Sequence, residues 1–295
     1  MSIKAPKVAD EESLLAAYNL SISLPWANNV NSEKALIGLY KEYTQKEERE
    51  LIKILLERLV YHSYEDRDND IDSISSKIDE LCLAPENTLF IAVSDGKGID
   101  GSVAGLYNLK QCLGSKQIEW SESNNMCASM ENFKNFKKKA NYSNYLNFVL
   151  FDDFIGTGKT IMKNIERLMN SIGGDRIVLV NIKVFSFVGM TFGINAIKKK
   201  YNNVDIFCPT MLEKGIEERS DSNEEHKINL MKKMECKLLE TLNGLKINTF
   251  SLGYENSQSL YQINRGNCPN NVFPIFWWKK DKENEFRFTL FNRLR

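Results

Sequence analysis

Over residues 11–83 apolar side chains recur at intervals of three and four: Leu36, Leu39 and Tyr40, then Leu51, Ile52, Leu55, Leu56 and Leu59. This spacing puts them on one face of a helix, so 1–84 is predicted to be a helical N-terminal region. Thr44, followed three residues later by Glu47, has the form of a capping box, and Glu47, Glu48 and Glu50 suit the positive end of a helix, so a helix is predicted to start there. The period changes at Thr88. Leu89-Phe90-Ile91-Ala92-Val93 reads as a strand, and Ser94-Asp95-Gly96-Lys97-Gly98 as the loop after it. Beyond that, 102–113 predicts a helix, and 114–144 is polar and predicted to be mobile, with Lys134, Lys137, Lys138 and Lys139 forming a solvated charged face. A strand at 148–151, a helix at 160–171 stopped by Gly173-Gly174, a strand at 176–184, a helix at 187–201 and a strand at 204–208 follow. Strands alternating with helices predict an α/β core with a parallel sheet over 85–249, the stretch 213–245 being charged and mostly helical. The aromatic, turn-rich segment 250–295 is expected to pack on that core.

The sharpest chemistry lies in Phe148 to Thr160, FVLFDDFIGTGKT. Four apolar residues run into the acidic pair Asp152 and Asp153, and the loop Gly156-Thr157-Gly158-Lys159-Thr160 opens the next helix. Ligands of open parallel sheets bind at the carboxyl ends of strands, so two carboxylates and a phosphate cradle stand where such a site belongs. Glycine lets backbone approach a phosphate closely, and the helix adds its positive N-terminus. A P-loop, GxxxxGK[ST], shares Gly158-Lys159-Thr160, but its first glycine falls at Asp153, whose carboxylate would repel phosphate. A plain buried strand with two turn-forming acids is the remaining alternative.

Composition narrows the setting. The 295 residues suffice for one large domain or two modest ones, and 39 basic against 39 acidic side chains leave no global claim on nucleic acid. The six cysteines form no CxxC pair, which argues against structural zinc and points to a reducing cytoplasm; no run approaches membrane-spanning length. His62 and His226 neighbour charged segments and are expected at the surface. Ser257, Gln258, Asn270 and Asn271 are turn formers that could also bond a base, and at most one of Trp277 and Trp278 is expected to stack on one.

Phe148 to Thr160 resembles the PRPP-binding signature of the phosphoribosyltransferases: apolar strand, two acids, two apolar residues, a variable position, then Thr-Gly-x-Thr. The resemblance implies a type I phosphoribosyltransferase-like parallel sheet flanked by helices. It also implies that Asp152 and Asp153 address the ribose hydroxyls and that Gly156, Thr157, Gly158, Lys159 and Thr160 hold the 5′-phosphate. Mg²⁺ would accompany the pyrophosphate, for which Asp95, Gly96, Lys97 and Gly98 occupy the place of the pyrophosphate loop. Phe154 is bulkier than the usual aliphatic residue, and Gly156 replaces a position that in several purine-using members is an Asp close to the base, so no general base is evident there. The tail, with Gly253-Tyr254-Glu255-Asn256-Ser257-Gln258, Pro269-Asn270-Asn271 and Phe273-Pro274-Ile275-Phe276-Trp277, is similar to phosphoribosyltransferase-like effectors of bacterial conflict systems. That likeness implies antiphage defence. It also implies a retron reverse transcriptase and its nucleic acid as partners, with either glycosyl transfer or nucleotide cleavage at ribose C1, or non-catalytic nucleotide sensing, as the activity.

Overall fold

The computed structural model describes residues 11–29, 32–94, 100–139, 142–219 and 223–294. Helices come first, as the apolar spacing requires: α1 (Glu11–Ser23), α2 (Glu33–Glu42) and α3 (Lys46–Glu57). The start of α3 is displaced by one residue from the expected box. Gln45 is its N-cap, and the Gln45 N–H donates to Glu48 Oε2 at 3.3 Å. Glu48 takes the role because it lies on the buried face, held by Lys237 Nζ at 2.9 Å, whereas Glu47 stays in solvent.

Next come β1 (Val60–His62), α4 (Tyr64–Glu80), β2 (Thr88–Ala92), α5 (Gly101–Lys116), α6 (Ile118–Glu122), β3 (Met126–Cys127) and α7 (Met130–Lys139). The chain continues through β4 (Asn147–Ile155), α8 (Lys159–Ile172), β5 (Asn181–Met190), α9 (Thr191–Lys200), β6 (Asp205–Phe207) and β7 (Thr210–Leu212). It ends with α10 (Glu224–Glu235), β8 (Thr241–Leu242), β9 (Leu245–Lys246) and β10 (Tyr261–Ile263). Two compact units result, Tyr64–Glu213 and a second built from Met1–Ser63 with Lys214–Arg295. The expected segments end at 84 and 249; packing instead gives α4 to the sheet and α10 to the N-terminal helices.

The sheet unit is α/β, with strand order β3-β2-β4-β5-β6, β7 beside β5, and every pair parallel. Leu89, Ile91, Phe148, Leu150, Ile182 and Val184 point to one face, where Phe133 of α7, Ile161, Ile165 and Leu168 of α8 and Ile197 of α9 cover them. On the opposite face α5 lies against β4 and α4 against β5. β5 corrects the expected strand at 176–184 and helix at 187–201: the strand runs on to Met190, buried from Ile182 onward. A run apolar on both faces hides its periodicity, so its end cannot be told from the start of a helix. The polar segment 114–144 also proves ordered where it is described, because Trp120 and Phe133 are fully buried anchors within it. Lys134 pairs with Glu131 at 3.5 Å, and Lys137 donates to the Ser171 carbonyl and lies 5.0 Å over the Tyr142 ring.

In the other unit Trp26, Leu36, Leu55, Phe250, Phe273 and Trp277 belong to one core, so the aromatic tail is packed with the N-terminal helices. Each large apolar side chain buried there stabilises by roughly 1.5–3 kcal/mol. β1 and β10 pair in parallel, with Val60 opposite Tyr261. The stretch expected to be mostly helical stops at Glu235 and turns into the antiparallel pair β8–β9. Asn243 and Gly244 both have positive φ, 52° and 81°, as a two-residue hairpin turn requires. No described helix is long and apolar enough to cross a membrane, and all six cysteines are free.

Candidate functional site

The site begins where β4 leaves the core. Phe148 to Phe151 are completely buried, and the next residues along the strand are Asp152, buried, and Asp153, half-buried. Phe151 and Asp153 share the face turned toward α5, since side chains alternate along a strand. Two glycines one helical turn apart make that approach possible. A Cβ on Gly105 would lie 2.8 Å from the Phe151 ring, and one on Gly101 would lie 2.0 Å from Asp153 Oδ2. Asp100 caps α5, its carboxylate accepting from the Ser102 N–H at 2.9 Å.

Three acids therefore influence one another. Burial, first, and then the charges of Asp153 and Asp100 push the Asp152 carboxyl well above the usual carboxylate range. Asp153 is raised by burial and by Asp100, while the Arg67 guanidinium from α4 pulls it back down. Asp152 Oδ1 accepts from the Asp153 N–H at 3.0 Å, which holds the first carboxylate against its own backbone. The described residues include no group of three or more His, Cys, Asp or Glu side chains arranged to hold a metal ion.

After Ile155 the backbone makes a bend of three residues, Gly156, Thr157 and Gly158, and α8 begins at Lys159. Gly158 is the N-cap with φ 77°, a left-handed conformation that favours glycine. The bend is seated on α9. A Cβ on Gly193 would come within 1.9 Å of the Gly156 carbonyl oxygen, and one on Gly158 within 2.6 Å of the Gly193 carbonyl oxygen. Lys159 and Thr160 are exposed at the open end of this helix, and Thr157 Oγ1 lies 3.5 Å from the Lys159 N–H. The P-loop alternative fails on geometry as well as sequence, because Phe154 and Ile155, within its would-be loop, are still paired with Val188 and Gly189 of β5.

With this geometry in place, comparison with known sequences is decisive for the family. The sequence model of PRTase-CE matches residues 26–293. The chain belongs to the PRTase-CE family. This is a phosphoribosyltransferase-like family, in keeping with the parallel sheet, its flanking helices and the helical N-terminal region. No curated protein matches this PRTase-CE chain. Among solved structures it is similar to the AQ2163 protein from Aquifex aeolicus, at 9% identity over 70% of this chain and 87% of that one, with a TM-score of 0.31.

Other expected site residues fare differently. Asp95, Gly96, Lys97 and Gly98 lie outside the described residues. Trp277 and Trp278 are both core, their indole N–H groups donating to the Val272 and Leu239 carbonyls at 2.9 and 3.1 Å, so neither is presented to a base. Ser257, Gln258 and Asn271 are buried in the same unit, where Gln258 Oε1 accepts from the Ile216 and Glu217 N–H groups, each at 3.0 Å. His62 corrects the expectation of two surface histidines: it is buried, edge-on to Tyr261 at 5.3 Å, while His226 is exposed beside Glu47 at 3.3 Å. A cavity of about 570 Å³ in the same unit is lined by Gly38, Glu42, Lys237, Phe286 and Arg287 and contains none of the motif. Asp100, Gly101, Arg67 and Gly193 join the site without having stood out in the sequence. Asp100 followed by Gly and Ser carries a local helix-cap signal; the others matter only through contacts distant in sequence.

Proposed function

We propose that this PRTase-CE chain binds PRPP or a nucleotide at the carboxyl end of β4. The observation that carries the reading is the direct succession of two adjacent acids, a three-residue glycine turn seated on Gly193, and the N-terminus of the 14-residue helix α8. Backbone N–H groups of Gly156 to Thr160, the hydroxyls of Thr157 and Thr160 and the Lys159 ammonium take the 5′-phosphate, which meets the positive end of the helix. Asp152 and Asp153 take the ribose hydroxyls. Their raised pKa values suit this role, because a crowded pair that holds one proton offers a donor and an acceptor to neighbouring hydroxyls.

At ribose C1 the bond to the leaving group breaks with its electron pair, leaving positive charge on the ring that an ionised Asp153 stabilises until an acceptor base or water adds its lone pair to C1 and releases its proton to solvent. Pyrophosphate leaves from PRPP; a nucleobase leaves from a nucleotide. Mg²⁺ would neutralise the pyrophosphate oxygens and so supply charge stabilisation when bound.

Gly156 favours a second reading, nucleotide sensing without turnover, since its position offers no general base. Product analysis separates the two. Incubation with PRPP, Mg²⁺ and a mixed nucleotide pool gives pyrophosphate or free base if the chain turns over, and none if it only senses. Asp152→Asn with Asp153→Asn abolishes turnover in a folded protein; undiminished turnover in that double variant would refute the assignment of the acids. The family resemblance further motivates a role in antiphage defence with a reverse transcriptase and its nucleic acid as partner. Toxicity that appears only when such a partner is disrupted is the expected sign, and equal toxicity with an intact partner speaks against it.

A further inference from the structure

Asp153 is approached from two sides. On one, Gly101 opens room for its carboxylate at the start of α5. On the other, the β4–β5 register sets Phe187 across from it, because Asp152 pairs with Ser186 and Phe154 with Val188. The Arg67 guanidinium lies over that same Phe187 ring, 5.1 Å from its centroid. Arg67 is half-buried, and its Nε is wholly buried with no hydrogen-bond partner among the described residues. It also sits in the first turn of α4, beside Glu65 and Asp66, where the helix dipole disfavours a cation. Neither hydrogen bonding at Nε nor the helix accounts for a guanidinium in this place.

We propose that Arg67 is a positioning residue of this site: stacked on Phe187, its guanidinium faces Asp153 and fixes that carboxylate, in its ionised form, toward the hydroxyl groups of the ligand. The inference rests on the ribose-phosphate reading above and gives the two acids different roles. Among the described residues, the charged groups facing Asp153 are Asp152 on β4, Asp100 at the cap of α5 and Arg67 on α4; β5 contributes Ser186 and Phe187, which carry no charge. Burial and Asp100 oppose ionisation of Asp153, whereas the Arg67 guanidinium and a hydrogen bond with the Asp152 side chain favour it. Asp153 therefore ionises first and accepts from a ribose hydroxyl, and Asp152 keeps its proton and donates to the neighbouring one.

The test is a carboxyl-carbon NMR titration of the full chain labelled in aspartate, without ligand, the two signals being assigned through Asp152→Asn and Asp153→Asn. Asp153 is expected to titrate at lower pH than Asp152 in the native protein. Arg67→Gln raises the Asp153 titration, and Arg67→Lys, which keeps the charge, restores most of it. In parallel, calorimetry with PRPP and Mg²⁺ is expected to give at least a tenfold loss of affinity for Arg67→Gln and a smaller one for Arg67→Lys. Asp152 ionising before Asp153 in the native protein, or an Asp153 titration unmoved in Arg67→Gln, overturns the role of Arg67; the first outcome needs no variant at residue 67 to fold. Failure of the native protein to bind PRPP or a nucleotide counts against the ribose-phosphate reading itself, while the ligand-free titration still decides what Arg67 does to Asp153.

Discussion

In the unit formed by Met1–Ser63 and Lys214–Arg295, buried ionic side chains are tied to internal partners. The Arg287 guanidinium meets Glu42 Oε2 at 2.7 Å and donates to the Trp278 and Ile275 carbonyls, and Glu235 accepts from Ser251 Oγ at 2.6 Å and from the Leu252 N–H at 2.9 Å. In the sheet unit, Asp152 and Asp153 stand beside a third acid, Asp100, and the Arg67 guanidinium offsets part of that for Asp153. Burial opposes the charge in both units, but partners in the first offset part of that cost, whereas neighbouring acids in the second add to it. Groups of the first kind hold structure together, whereas groups of the second kind cost stability, which suits the proposed role of Asp152 and Asp153 in binding a ligand.

The contrast breaks most visibly at Arg287. Arg287→Met leaves Glu42 buried without its partner and is expected to cost about 3–5 kcal/mol, read as a lowered denaturant midpoint. Asp152→Asn with Asp153→Asn, by contrast, leaves the midpoint unchanged or raises it, because it removes repulsion and buried charge. A double variant destabilised as much as Arg287→Met would erase the distinction between the two units.

Glu235 sharpens the same comparison through pH. Burial raises its carboxyl from 4.5 to about 7, against the lowering pull of its two hydrogen bonds. A carboxyl raised in the folded state binds its proton more tightly there than in the unfolded chain. Its contribution is therefore greatest below pH 4.5 and falls as pH rises to about 7, by roughly 3 kcal/mol. Relative to the wild type, Glu235→Gln is expected to gain stability between those pH values and no further above them; parallel stability curves from pH 4.5 to 8 would contradict it.

A smaller effect is expected from Gly101→Ala. The added Cβ would lie 2.0 Å from Asp153 Oδ2, so the carboxylate must turn away while the helix remains. Ligand affinity then falls about tenfold, near 1.4 kcal/mol, with stability changed by less than that. Calorimetry beside a melting curve checks both. Unaltered affinity would mean that the Asp153 position tolerates what the packing forbids.

What could be read in the sequence follows the range of each interaction. Phe148 to Thr160 was legible because strand, acids, glycine turn and helix start are consecutive, and the structure keeps them in that order. β5 was not: residues 182–190 are buried on both faces, and no period marks where the strand ends. The capping box of α3 was displaced because selection between Glu47 and Glu48 depends on Lys237, far along the chain. Gly193 and Arg67 carry no local signal at all; their meaning lies in the Gly156 carbonyl and the Phe187 ring, which only the sheet brings to them.

β4 is proposed to end in a site for a ribose phosphate, with its acids reserved for the ligand. The most direct measurement is a calorimetric titration of PRPP with Mg²⁺, and of nucleoside monophosphates, into the wild type and into the Asp152→Asn, Asp153→Asn double variant. Saturable one-site binding of at least one of these ligands to the wild type, and its loss in an equally stable variant, is expected. Equal binding by both proteins, or no binding by the wild type to any of these ligands, would contradict it.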